Sequence, residues 1–435
     1  MPLEKRVLRG FDFFVLWFSL GVGLLVIQAG VLLTAPFGSG LSLTEALFVI
    51  VVGSVVGSLM LGASGLIGSR YGVPSMVSLR PVLGRTGSYV PTVLNVLQLV
   101  GWTSFEILIM AEAATLLLGE KAGSAVNFVF LVVFGFVCGL LALGGPLVVV
   151  RRWLSRLGIW LVIGSTAFIT FFILVAPPAG GWGGFTSPSL NLLGGLDLVI
   201  AMPISWWPLL SDYSRFATNG RSAATGTILG YIPANVWFFF LGAAAVVLLG
   251  QFSAAGAILA TGVGGLALLF ILVDETDNGF ANIYSTAVSA QNLRPRLPQR
   301  WLVVGAMAVG IVLAGVLTAT GGLNAALSYE FFLLLVGGFF VPLLGVVTAD
   351  WFVVRRGQYD PAEFREASPA LRLAPFVAWV AGIAVYFGVN GILFFQIAPV
   401  LPAIGGSLPA FAVAAGLHAL ISRVASPSPR VATGG

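Results

Sequence analysis

The sequence predicts an all-α polytopic membrane protein. Three observations carry that prediction: an apolar composition, recurrent runs long enough to cross a bilayer, and a one-sided placement of the basic residues. Of the 435 residues 58% are hydrophobic and 9% charged, and the mean hydropathy is +1.03. A soluble chain of this length needs far more charged surface. A helix needs roughly 20 apolar residues to cross a hydrocarbon core of about 30 Å, and such runs recur from end to end.

Twelve spans are expected. The first six lie near Phe11–Leu33, Leu43–Ile67, Val90–Leu118, Ala125–Leu143, Leu154–Val175 and Leu196–Leu210. The second six lie near Thr227–Leu249, Gly264–Thr286, Trp301–Thr320, Tyr329–Val353, Leu373–Phe395 and Pro402–Ile421. The sixth, with its Asp and Pro residues, and the eighth, with its acids, give the weakest hydropathy signals.

The Lys and Arg positions test this count. With the N-terminus in the cytoplasm, Lys5, Arg6 and Arg9 lie inside. So do the connections holding Arg70, Arg80 and Arg85, then Arg151, Arg152 and Arg156, then Arg215 and Arg221. Arg294, Arg296 and Arg300 follow, then Arg355, Arg356, Arg365 and Arg372, and finally Arg423 and Arg430 in the tail. Of the 21 basic residues only Lys121 falls outside. One missed or invented span would invert everything after it, so the asymmetry supports both number and orientation. Topology thus accounts for a pI near 9.7, and no nucleic-acid partner is expected.

The outside loops, such as Pro177–Leu190, carry almost no charge, and the tail after Arg423 reads as disordered. Phe11–Leu33 is too long for a cleavable signal peptide and no small-residue cleavage site follows it. Cys138 is the only cysteine, which excludes a disulfide framework. His418, the only histidine, reads as a packing or interfacial residue.

Secondary transporters place substrate at mid-membrane, where Gly- or Pro-interrupted helices occupy equivalent positions in two halves. The first span contains Ser19-Leu20-Gly21-Val22-Gly23, and the sixth contains Met202-Pro203-Ile204-Ser205-Trp206-Trp207-Pro208. These are the first helices of two five-span units, so the spacing predicts a 5+5 inverted repeat followed by two additional helices. The expected organisation is a cytoplasmic N-terminus (1–10), a first repeat (11–175), a second repeat (196–353), two more helices (373–421) and a cytoplasmic tail (422–435). Unwinding at both breaks would free backbone groups for solute or ion. Gly21 is assigned to substrate, and Ser19 and Val22 to a cation.

An acid at mid-membrane costs on the order of 3 kcal/mol on insertion scales, so each needs a reason. In span three, Gln98, Trp102 and Glu106 recur at i, i+4 and i+8 and share one helical face. Trp102 offers a flat surface for a heterocycle, and the Glu106 carboxyl accepts from ring N–H or exocyclic amine donors. Glu112 lies further out. Span eight, the repeat mate of span three, contains Asp274-Glu275-Thr276-Asp277-Asn278 and then Asn282 and Tyr284. Its acids suit a Na⁺ cage near Ser19, Val22, Asp274 and Asp277, or a proton acceptor. Glu275 joins them as a cation-handling residue. Ion pairing between helices is the plain alternative, but apart from Arg156 at the cytoplasmic edge of the fifth, no Lys or Arg lies inside any span. For Trp102, Trp206 and Trp207 the plain alternative is packing, and periodicity does not choose between the last two.

These residues also carry a family likeness. The chain resembles the nucleobase–cation symporter-1 family, which includes cytosine permeases and allantoin, hydantoin and hydroxymethylpyrimidine transporters. The matching stretches are Gly72-Val73-Pro74 with Arg80 and Gly84, Gly101-Trp102, Ser211-Asp212-Tyr213-Ser214-Arg215-Phe216, Asn282-Ile283-Tyr284-Ser285 and Ala349-Asp350-Trp351-Phe352-Val353-Val354-Arg355-Arg356-Gly357. Met202–Trp206 with Phe280–Tyr284 is most similar to the cytosine and hydroxymethylpyrimidine branch.

The resemblance implies the five-plus-five fold, alternating access, and a substrate held by spans one, three, six and eight. It implies that Trp102 stacks on the ring, that Glu106 stands where some relatives have a ring-bonding glutamine, and that Asn278 or Asn282 supplies an amide. Gln98, Ser205 and Trp206 complete the expected substrate set. Where sodium-coupled relatives have adjacent hydroxyl residues this chain has Asp277-Asn278, so H⁺ and Na⁺ both stay open. Direct alignment of a second aromatic wall lands near Pro203.

The expected protein is a monomer in the plasma or inner membrane, with no cofactor beyond the co-transported ion and a nucleobase-like solute as partner. It is not expected to be an enzyme, since it has no histidine cluster. The repeated pore filter of a channel is missing as well.

Overall fold

The computed structural model describes all residues except 37, 120–122, 149–158, 176–182, 184–189, 261–263, 322–325, 366–367, 392–397, 399, 401–404 and 426–435. Lys121, Arg151, Arg152, Arg156, Arg430, most of the 177–190 loop and the facing ends of spans eleven and twelve therefore lie outside the described residues.

A helix occupies each of the twelve apolar stretches. The first stretch holds two, α1 (Gly10–Leu20) and α2 (Leu24–Thr34), bent by 56° at the break between them. Then come α3 (Leu43–Tyr71), α4 (Tyr89–Leu117), α5 (Ser124–Gly144), α6 (Ile159–Val175), α7 (Leu190–Ser214) and α8 (Gly220–Leu249). The remainder are α9 (Gly264–Leu293), α10 (Gln299–Ala319), α11 (Ala326–Ala349), α12 (Leu373–Asn390) and α13 (Ser407–Ala425). Among the described residues nine helices are long and apolar enough to cross a membrane, and the bent α1–α2 pair makes a tenth. α9 is long enough at 30 residues, but its acids lower its apolarity.

Two compact units emerge, Met1–Ser78 with Tyr89–Gly337, and Leu79–Ser88 with Gly338–Gly435. In the first, close approach of helices rests on small residues, as lipid-embedded bundles require. A Cβ on Gly30 of α2 would run into the backbone of Phe239 on α8, and one on Gly242 of α8 into that of Ile27. The same unit gathers several stretches of the family likeness at the ends of α3, α7 and α9. Asp212 Oδ1 accepts from the Ser75 amide at 2.9 Å, Ser75 Oγ accepts from the Ser211 amide at 2.8 Å, and Arg215 Nη2 donates to the Tyr284 hydroxyl at 2.8 Å.

One expectation is corrected. The sixth stretch is not unwound at Met202–Pro208: α7 runs through Pro203 and Pro208 as continuous helix. The reason is packing. A Cβ on Gly57 of α3 would clash with the Pro203 ring, so that ring occupies space a larger residue would fill. Polar groups also gather on the carbonyls nearby. Ser205 Oγ donates to Met202 O (2.6 Å), Gln98 Nε2 to Ser205 O (3.2 Å) and Asn95 Nδ2 to Pro208 O (3.3 Å). Neighbouring helices and hydroxyl side chains let a membrane helix carry proline unbroken in this way.

The second unit has a buried polar centre of its own. His418 is 2% exposed, so it is not interfacial, and its Nε2 lies 2.9 Å from Asp350 Oδ1. Tyr359 donates its hydroxyl to Asp350 Oδ2 at 2.8 Å. Burial first, and then the adjacent carboxylate, hold the Tyr359 phenol well above its ordinary range.

Gly30→Val is expected to destabilise the protein by about 1–3 kcal/mol through overpacking of the α2–α8 contact. Gly305→Ala, where a Cβ meets nothing within 4 Å, leaves stability unchanged. Thermal unfolding in detergent checks the pair, and equal losses in both would contradict the contact.

Candidate functional site

The site grows from the break in the first helix. After α1 ends at Leu20, Gly21, Val22 and Gly23 leave the helical path, and Gly23 is extended, with φ 170° and ψ 158°. An interruption leaves the first amides of α2 without carbonyl partners. Glu275 on α9 answers one of them: the Leu24 N–H is shared between its two carboxyl oxygens, at 3.2 and 3.1 Å.

Asn278, one turn along α9, donates Nδ2 to Val22 O at 3.0 Å. Ser19 Oγ donates to Asp274 Oδ1, also at 3.0 Å. A Cβ on Gly23 would come within 3.1–3.2 Å of the Glu275 oxygens and the Asn278 amide, so a larger residue would press these α9 side chains back by a few tenths of an ångström. The polar segment of α9 thus clasps the break from one side.

Magnitudes explain why Glu275 needs no basic partner. Mid-membrane placement costs roughly 3 kcal/mol. One charge-assisted hydrogen bond returns about 1.5–3 kcal/mol, and the N-terminal dipole of α2 adds up to about 2 kcal/mol. The two together offset the cost.

α4 supplies the opposite wall. Glu106 is 3% exposed, and its carboxyl stands close to that of Glu275. One turn below, Trp102 is held edge-on by Phe332 at 5.1 Å and Tyr329 at 6.1 Å between ring centroids. Gly101 makes room for the Phe332 ring. Tyr329 in turn donates its hydroxyl to Leu25 O at 2.9 Å, which ties α11 to the first turn of α2. A further turn below, Gln98 Nε2 donates to Asn95 Oδ1 (2.8 Å) as well as to Ser205 O.

The structure thus brings Ser19, Val22, Asp274, Glu275, Asn278 and Glu106 together at the break, with Trp102 and Gln98 below on α4. Among the described residues neither oxygen of Asp277 has a hydrogen-bond partner, nor does Asn282 Nδ2. Gly21 faces α8, against Ala234 and Tyr231, so Gly23 is the residue of the break that abuts α9. The Ser205 hydroxyl is engaged by Met202 O. Trp206 meets Trp17 edge-on at 6.1 Å, within an aromatic group that includes Tyr213 and Tyr231 around Trp17.

Sequence reasoning put Gly23 in the break but gave it no role, and it missed Asn95, Tyr329 and Phe332, which needed tertiary contacts. No three of His, Cys, Asp and Glu converge as a metal-ligand set among the described residues.

Comparison with known proteins sets this geometry in context. The profile of a family described as "Permease for cytosine/purines, uracil, thiamine, allantoin" matches residues 1–412. A hydantoin permease of Microbacterium maritypicum is 23% identical over 415 residues, covering 88% of this chain and 80% of that protein. The cytosine permease of Escherichia coli K12 is 24% identical over 417 residues, covering 89% and 87%. Among solved structures, the nucleobase-cation-symport-1 transporter Mhp1, closed on bromovinylhydantoin, superposes with a TM-score of 0.79 at 19% identity, covering 97% of this chain and 94% of its own. A Na⁺-coupled sialic acid symporter gives 0.65 at 13% identity, covering 98% and 92%.

Glu275→Ala leaves the Leu24 N–H buried without a partner and is expected to lower stability by about 1–3 kcal/mol. Thr276→Ala, whose hydroxyl bonds only within its own helix, has little effect. Equal unfolding temperatures for Glu275→Ala and the unmodified protein would show that the clasp contributes nothing.

Proposed function

The chain belongs to the nucleobase–cation symporter-1 family, the permeases for cytosine/purines, uracil, thiamine and allantoin, and from that premise we infer that it imports a nucleobase-like heterocycle coupled to a cation. The observation that carries this reading is the buried polar face shared by α4 and α9 beside the interrupted first helix. In that arrangement Trp102 stacks on the ring, while Gln98, Glu106, Asn278 and Asn282 meet its polar edge. Ser205 and Trp206 shape the α7 side, with Gly21 setting the entry of the break.

The coupled ion is H⁺ or Na⁺. Na⁺ would take its oxygens from Ser19, Val22, Asp274 and Asp277. A proton would use the acids Glu275, Glu106, Asp274 and Asp277. Binding of the ion at the clasp favours the form that accepts solute, and linkage makes the preference mutual.

The full architecture we propose is twelve spans in a 5+5 inverted repeat plus two, working as a monomer in the plasma or inner membrane with both termini cytoplasmic. The basic residues on one side support that orientation. A hydantoin or allantoin, or a hydroxymethylpyrimidine, is the nearest alternative cargo, and the hydantoin permease likeness favours keeping the first in view.

Reconstituted into proteoliposomes, the protein is expected to accumulate a heterocycle down a cation gradient. Trp102→Ala is expected to raise the half-saturating concentration about tenfold or more, since base–aromatic stacking is worth about 1–3 kcal/mol. Glu106→Gln is expected to slow uptake as well. Unchanged transport in both variants would sink the site.

A further inference from the structure

A second polar cavity, of about 360 Å³, lies where the ends of α4 and α10 meet the start of α5, and Glu112, Thr115, Ser124, Asn127 and Thr318 line it. On the orientation proposed above it opens at the outer face. It is separate from the solute site, since Glu112 stands six residues beyond Glu106, or about 9 Å along an α-helix.

The hydroxyl protons of its threonines are committed. Thr115 donates to Ala111 O at 2.7 Å and Thr318 to Ala314 O at 3.0 Å. Towards Asn127 the Thr115 oxygen therefore only accepts, and the 3.3 Å bond between them comes from Asn127 Nδ2. That fixes the amide, because the flipped form would set two acceptors together. Asn127 is 8% exposed, and its Oδ1 is buried without a hydrogen-bond partner among the described residues. Glu112 adds a carboxylate, whose roughly four lone-pair sites accept further donors beside any bond it already makes. These side chains offer acceptors, and an ammonium answers them.

The opposite charge is met at the start of α5. Its N-cap, Gly123, has no side chain to cap the first amides, which lack carbonyl partners within the helix. Such an end attracts phosphate. One turn inward, Phe128 of α5 lies against Gly315 of α10 and leaves 51% of its surface exposed. In a bilayer that ring is a surface for an acyl chain.

We propose that this cavity binds a phospholipid with a primary-ammonium headgroup. The ammonium donates to Glu112 and Asn127, the phosphate meets the first amides of α5, and a chain runs down past Phe128. An ethanolamine phospholipid carries these three parts in that order. A choline headgroup has the same phosphate but no N–H to donate, and a glycerol headgroup has no cation. Soluble phosphoethanolamine has the same charges without the chains.

The test uses the delipidated full-length protein in detergent, with phosphatidylethanolamine, phosphatidylcholine, phosphatidylglycerol and phosphoethanolamine added in turn. Apparent Kd values come from thermal shift, and native mass spectrometry counts the retained lipid. The ethanolamine lipid is expected to bind at least about tenfold tighter than the choline or glycerol lipid, the factor that one charge-assisted hydrogen bond supplies. Glu112→Gln and Asn127→Leu are each expected to remove that margin. Equal binding of the ethanolamine and choline lipids overturns the proposal, and so does a margin that survives in both variants. Phosphoethanolamine binding as tightly as the lipid overturns the lipid as occupant in favour of a soluble zwitterion. The wild-type comparison decides the headgroup even where a variant does not fold.

Discussion

A carboxyl enclosed in an apolar interior, as that of Glu275 is, needs a hydrogen-bond donor, and in this protein the donor comes from a helix that stops. The Leu24 N–H is available to Glu275 only because the first span is interrupted after Leu20. The interruption is tolerable only because α9 brings Glu275 and Asn278 to meet the exposed amide and carbonyl. Each feature would be costly alone, since an unsatisfied backbone group in hydrocarbon costs several kcal/mol. The break, the acids and the glycine at 23 are therefore one structural unit, and the positions of Glu106, Trp102 and Tyr329 follow from it.

The same rule is solved differently elsewhere in the chain. Asp350, also buried, takes its donors from the Tyr359 hydroxyl and the His418 ring. That solution uses side chains alone and leaves the backbone intact. α7 shows a third case, in which prolines are carried without unwinding because Gly57 accepts the Pro203 ring and polar side chains settle on carbonyls nearby. Only the first span exposes its backbone to the α9 acids.

Much of this was legible in the sequence. Among the described residues, periodicity and hydropathy located the long helices, because a run of apolar residues in lipid has few alternatives to helix, while short ones such as Ala254–Leu259 gave no such signal. Gly21 and Gly23 announced the break in the first span, and the i, i+4, i+8 spacing placed Gln98, Trp102 and Glu106 on one face. The sixth span misled for a physical reason. A proline signals a missing donor but not whether a neighbouring helix has made room for its ring, and Gly57 lies some 146 residues away in sequence. Glu275 reads in the sequence as a cation-handling residue, and its further contact with the Leu24 amide required knowing which amide faced it. Tyr329 and His418 gave no local signal at all, since their partners Leu25 and Asp350 are brought to them by tertiary folding.

The central claim is that solute binds where the break, α4 and α9 converge. A cryo-electron microscopy map of the protein with a bound heterocycle tests this most directly. The account predicts density for the ring against the face of Trp102, within hydrogen-bonding distance of Gln98 and Glu106. Density seated instead in the polar pocket lined by Glu112, Thr115, Asn127 and Thr318, with the Trp102 face bare, would contradict it.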